Sequence, residues 1–144
     1  MVASTIVRAL TVATTALSAG ISFAQTPATP AVTKAPESLV LYFDLGSAQV
    51  RSQDEALLDQ ASRLYREGNP IVMIVAGSAD TVGPPARNLS LSRQRADAVL
   101  RGLISRGIPV GRFQLVAKGE TELAVPTADE VPEQRNRRVE ITWR

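Results

Sequence analysis

Asp80 and Arg95 are the acid and base in this chain best placed to grip one ligand. They lie fifteen residues apart in the run G-S-A-D-T-V-G-P-P-A-R-N-L-S-L-S-R-Q-R-A-D-A-V-L-R-G-L, from Gly77 to Leu103. The acid falls in a glycine-bearing turn and the arginine in a helical pattern. A carboxylate and a guanidinium converging on one pocket suit a zwitterion, because the carboxylate takes an ammonium while the guanidinium holds a carboxylate through paired hydrogen bonds. Such a pair binds an amino-acid head group and breaks no bond by itself.

Other chemistries are narrowed by composition. The 144 residues include no cysteine and no histidine. That excludes thiolate and imidazole metal sites, triads with a histidine base, disulfides and a lipid-modified N-terminal cysteine. Neither a metal nor a cofactor is expected. The 16 basic and 14 acidic residues leave a net charge of +2, too little for a nucleic-acid polyelectrolyte. Arg135, Arg137 and Arg138 cluster without interleaved aromatics, so no nucleic-acid partner is read from them either.

Three segments are expected. Residues 1–24 have the parts of a secretory signal: Arg8, an apolar run from Ala9 to Phe23, and small residues at Ser22 and Ala24. The run is shorter than the roughly twenty residues needed to span a membrane, so cleavage after Ala24 and a soluble secreted product are expected. Residues 25–36, with prolines at 27, 30 and 36, read as a semi-stiff tether. Residues 37–144 form one domain, for which the 44% hydrophobic content supplies one core.

Within that domain the apolar pattern alternates between strand and helix. Ser38 to Phe43 reads as a strand, as does the apolar run Ile71 to Ala76. Ser52 and Glu55 form a capping-box signal for a helix over about Gln53 to Glu67, with Ala56, Leu57, Ala61, Leu64 and Tyr65 on its inner face and Gly68 as its stop. A second helix is predicted from about Asn88 to Ser105, with Ala96, Val99, Leu100 and Leu103 facing the core and Gly107 ending it. Phe113 to Ala117 and the alternating Val139 to Trp143 complete the strands, joined by a polar loop. The resulting βαβαββ order predicts an α/β fold of the two-layer α+β type, with two main helices on one face of a small mixed four-stranded sheet.

Asn88, Leu91, Ser92, Arg95, Ala96, Val99 and Leu103 fit the pattern N-x-x-L-S-x-x-R-A-x-x-V-x-x-x-L. Asp80 and Gly83 precede it, and Gly119-Glu120 and Asn136-Arg137-Arg138-Val139-Glu140-Ile141 follow. This resembles the OmpA-like C-terminal domain shared by OmpA, Pal and MotB proteins, over nearly all of residues 37–144. The resemblance implies non-covalent binding of peptidoglycan through the diaminopimelate of its stem peptide. It implies that Asp80 holds the ammonium and Arg95 the carboxylate. The family's G-H-T-D block is Gly77-Ser78-Ala79-Asp80 here, and Leu123 stands where the family often has proline.

Supporting roles follow for other positions. Asp44 matches the family's F-D block and is expected to pin the first loop. Thr81, Leu91 and Ser92 are assigned to pocket support, Ser92 by packing or bonding within its helix rather than by touching ligand, and Asn88 to the helix cap and the pocket. Of the two arginines that alternate at the last strand, Arg138 is placed at the pocket. A pair of partly exposed charge-assisted contacts implies affinity on the order of micromolar to millimolar, which suits a dense polymer.

The expected function is therefore a periplasmic, cell-wall-associated binding module without enzymatic activity. The alternative is a scaffold that docks on an envelope protein partner, with wall binding secondary. A wall hydrolase using Asp44 or Asp80 with Glu120 is the enzymatic alternative. An acid that faces an ammonium and an arginine is unsuited to deliver a proton as general acid.

Overall fold

The computed structural model describes residues 38–144. The expected signal segment 1–24 and tether 25–36 lie outside the described residues, as does the first residue of the expected domain. Strand β1 (Ser38–Tyr42) leads through a 3-10 turn (Ser52–Asp54) into helix α1 (Glu55–Gly68). Strand β2 (Met73–Gly77), helix α2 (Pro85–Ile104), strand β3 (Phe113–Ala117) and strand β4 (Arg138–Trp143) follow. The sheet order is β1-β4-β2-β3, with β2 and β3 parallel and β4 antiparallel to both of its neighbours. The βαβαββ order and the mixed four-stranded sheet are as the apolar periodicity predicts.

Alternation along the strands fills a single core. Leu39 and Leu41 of β1, Val139 and Ile141 of β4, and Met73 and Val75 of β2 meet Leu58 and Ala61 of α1 and Ala96, Val99 and Leu103 of α2. Each fully buried branched side chain contributes about 1.5–3 kcal/mol relative to exposure. The layers approach closely at Gly77, where an added Cβ would lie 2.0 Å from the Ser92 carbonyl oxygen. No side chain fits between β2 and α2 at that point.

Several local signals resolve differently from expectation. The Ser52 and Glu55 capping box does not form: no side chain caps α1, and Glu55 instead accepts a hydrogen bond from Arg106. The inner face of α1 is centred on Leu58 rather than Ala56, because Leu58 packs against Gly102 of α2. Gly68 belongs to the helix, and Asn69 takes the left-handed cap at φ 41°. Strand β2 begins at Met73, since the Ile71 and Val72 N–H groups both donate to the Arg144 carbonyl and Ile71 is 80% exposed. Helix α2 begins one turn before Asn88, at Pro85, where a proline's preset φ and missing N–H cost nothing. Gly107 (φ 92°) does end α2: its N–H bonds Ile104 O while Ile108 N–H reaches back to Leu103 O.

Candidate functional site

Asp80 and Arg95 come from the two elements that flank the Gly77 contact. Asp80 stands three residues beyond the end of β2, in the loop that leads to Pro84 and Pro85. Arg95 lies on the core-facing stripe of α2, immediately before Ala96. Both are buried, and they are paired with different groups.

Arg95 is fully buried and bonded to three backbone carbonyls. Nε donates to Ser47 O (2.8 Å), one terminal nitrogen to Ser78 O (3.1 Å) and the other to Asp44 O (3.1 Å). Its guanidinium carbon lies 5.4 Å from the centroid of the Phe43 ring, at cation–π range. Burial lowers its pKa to about 10, with Arg137 pushing the same way and Asp80 opposing. It remains cationic at neutral pH. None of its hydrogen-bond partners is a carboxylate, so its charge is met only by carbonyl dipoles and by Asp80 at longer range.

The direct partner of Asp80 is Arg137. An Arg137 terminal nitrogen donates to Asp80 Oδ2 at 2.9 Å, and Arg137 Nε donates to Phe43 O at 3.0 Å. Weaker backbone donors reach the same carboxylate: Val82 N–H to Oδ1 and Glu133 N–H to Oδ2, both 3.4 Å. Carbonyls of the segment after β1 therefore accept from two arginines, one from α2 and one from the approach to β4. That double attachment holds the Phe43–Ser47 backbone against the acid loop.

Beside this group opens a cavity of about 310 Å³, lined by Leu45, Gly46, Asp80, Val82, Arg87, Asn88 and Leu91. Asp80 contributes its wall, and Arg95 lies one helical turn beyond Leu91, bound to carbonyls on either side of Leu45 and Gly46. Gly46 adopts φ 67°, a left-handed conformation that glycine takes without penalty.

The OmpA family model matches residues 42–137, a range that holds Asp80, Arg95 and Arg137. The chain belongs to the OmpA family. It is 30% identical over 125 residues to outer membrane protein A of Bordetella avium, covering 85% of this chain and 64% of that protein. It is 31% identical over 104 residues to the peptidoglycan-associated lipoprotein of Haemophilus influenzae, covering 72% of this chain and 67% of that one. The chain thus spans about two thirds of the length of these curated relatives. The crystal structure of the peptidoglycan-associated lipoprotein from Burkholderia pseudomallei superposes with a TM-score of 0.68 at 28% identity, covering 73% of this chain and 89% of that one.

Of the other motif positions, Asn88 and Leu91 line the cavity, whereas Asp44, Thr81 and Ser92 do not and instead hold the surrounding segments. Asn88 is not the helix cap; from inside the first turn of α2 its Nδ2 donates to Gly83 O (3.2 Å) and Glu120 Oε2 (2.6 Å), tying the acid loop to the Gly119-Glu120 turn. Ser92 donates to Leu89 O (2.8 Å) and accepts from Gly119 N–H (2.9 Å). Thr81 donates to Ala128 O at 2.7 Å, anchoring the polar loop. Asp44 acts through its backbone carbonyl on Arg95 while its residue as a whole stays exposed.

Arg138 is not at the cavity. Strand β4 starts there, so pleating sends Arg138 and Glu140 to the face opposite Val139 and Ile141, and Arg138 Nε donates to Glu140 Oε1 at 3.3 Å. The arginine at the site is its neighbour Arg137, which precedes the strand and is free of its alternation. The sequence signal available for Arg137 was its place beside Asn136, whose side chain is fixed by two hydrogen bonds to the Val125 backbone.

Proposed function

We propose that this domain is a non-covalent peptidoglycan-binding module of the cell envelope, acting in the periplasm, and that it recognises the diaminopimelate of the stem peptide. Asp80 receives the ammonium of the head group and Arg95 its carboxylate. The observation that carries the reading is the charge pattern beside the cavity: a carboxylate on its wall, and behind the Leu45 and Gly46 rim a buried guanidinium that no carboxylate contacts directly. Guanidinium N–H groups not committed to Ser47, Ser78 and Asp44 are available to an incoming anion. Because Arg95 is fully buried, entry of the head group requires the Leu45–Gly46 rim to yield, and the left-handed Gly46 is where the backbone can do so. Relatives that are peptidoglycan-associated lipoproteins support peptidoglycan as the partner.

The arrangement favours binding over catalysis. The Asp80 carboxylate is engaged by Arg137 and Glu120 by Asn88, so the two acids have separate partners and no shared site for an attacking water. The test is a titration of the full chain with a diaminopimelate-containing stem peptide, followed by residue-resolved shifts. Shifts centred on Asp80, Leu91, Arg95 and the Leu45–Gly46 rim are expected, with loss of binding in Asp80→Asn. Unchanged spectra at these positions, or an Asp80→Asn variant that binds like the native chain, would overturn the reading.

A further inference from the structure

Arg87 lines the same cavity as Asp80, Asn88 and Leu91 but belongs to none of the interactions described so far. It lies in the first turn of α2 and is exposed. Its Cδ is 3.9 Å from where a Cβ at Gly83 would sit, so the aliphatic stem folds back across the acid loop. Arg51, Arg101, Arg106, Arg135, Arg137 and Arg138 each contact a carboxylate. Among the described residues Arg87 has no ion-pair partner, as is also true of Arg63, Arg66, Arg93, Arg112 and Arg144, but of these only Arg87 lines the cavity. The first turn of α2 contains no acid, and a cation there opposes the helix dipole. At this position the helix dipole disfavours a cation, whereas an anionic ligand in the cavity would give it a partner.

The geometry points to Arg87 as a second anion-binding point of the cavity, one that takes a carboxylate of the ligand separate from the head group held by Asp80 and Arg95. This rests on the head-group reading above and sharpens it: the site distinguishes ligands by a second free carboxylate. In a stem peptide that group is either the chain-terminal carboxylate or the free carboxylate of the acidic residue next to the diaminopimelate. Both offer the same planar, bidentate partner to a guanidinium. Exposure keeps the contact modest and sensitive to salt.

Calorimetric titration of the full chain decides the matter with three forms of one diaminopimelate-containing tetrapeptide: unmodified, amidated at its C-terminus, and amidated at the neighbouring acidic residue. The native chain is expected to bind the unmodified peptide about three- to fivefold more tightly than one of the two amides, the gain of an exposed ion pair. The amide that loses affinity identifies the carboxylate. Arg87→Gln, whose thermal midpoint checks that it folds, is expected to bind that amide and the unmodified peptide alike. A native chain indifferent to both amidations, or an Arg87→Gln variant that keeps the preference, overturns the assignment. Asp80→Asn separates the two readings. If it binds the unmodified peptide as tightly as the native chain, the head-group reading falls. If it loses binding while Arg87→Gln keeps the native preference, only the role of Arg87 falls. Absence of binding by the native chain to all three peptides overturns both.

Discussion

Arg95 and Arg106 sit three turns apart on and just beyond the same helix, and they are handled in opposite ways. Arg106, at the surface between α1 and α2, contacts two carboxylates, Glu55 at 2.6 Å and Asp59 at 2.7 Å, and its pKa is raised, chiefly by the hydrogen bond to Asp59. Arg95, in the interior, contacts none and its pKa is lowered to about 10, chiefly by burial. The first is a charge neutralised where water would have screened it anyway. The second is a charge kept where screening is weak, supported by carbonyls that take three of its N–H groups without cancelling its field. A cation held in that way is costly for the fold, and under the proposed function that cost is offset when an anion arrives.

The largest effect that could break this contrast is on stability. Arg95→Ala leaves three carbonyl acceptors without their donor, at about 1–3 kcal/mol each where water cannot enter, so a loss of about 3 kcal/mol or more is expected in chemical denaturation. A loss below about 1 kcal/mol would mean that water replaces the guanidinium readily and that the interior is not dry. Next is binding: Asp80→Asn is expected to weaken stem-peptide affinity by about ten- to a hundredfold, the equivalent of one charge-assisted contact. The native cavity affinity, read by titration, is the check. Arg106→Ala is expected to cost only about 1 kcal/mol in the same denaturation assay and to leave peptide affinity unchanged.

The smallest effect concerns Glu122, whose pKa is lowered first by its hydrogen bond to Lys118 and then by that residue's charge. A carboxylate with a depressed folded-state pKa adds stability above its ordinary value and loses that contribution as pH falls through the folded value. Glu122→Gln should therefore melt slightly earlier than the native chain at about pH 7 and together with it at about pH 3. A gap that persists in acid would show that the side chain acts through packing rather than charge.

Periodicity made the layers legible before any geometry was known. Alternation at Val139 and Ile141 and the stripe Ala96, Val99 and Leu103 follow from the pitch of strand and helix, so burial of these side chains was forced. Asp80 and Arg95 stood out for a different reason, as charged residues set in a dense motif, and both are buried. What escaped was pairing. Nothing in the order Arg137-Arg138 shows that β4 begins at the second of them, and that boundary decides which arginine meets Asp80. Nor does the run Ser52 to Glu55 reveal that Glu55 is claimed by Arg106, a partner 51 residues away. Local signals lose where a distant charge offers a better bond, and Asn88 shows the same outcome with Glu120.

The contact at Gly77 has a consequence for how this domain can change over time. A methyl group there would drive α2 away from β2, and Asp80 follows only three residues later, so the wedge would widen directly beneath the acid. A substitution at this one hydrogen would disturb the spacing of β2 and α2 whatever the cavity residues are. The spacing between the two charges is gauged by the thickness of bare backbone.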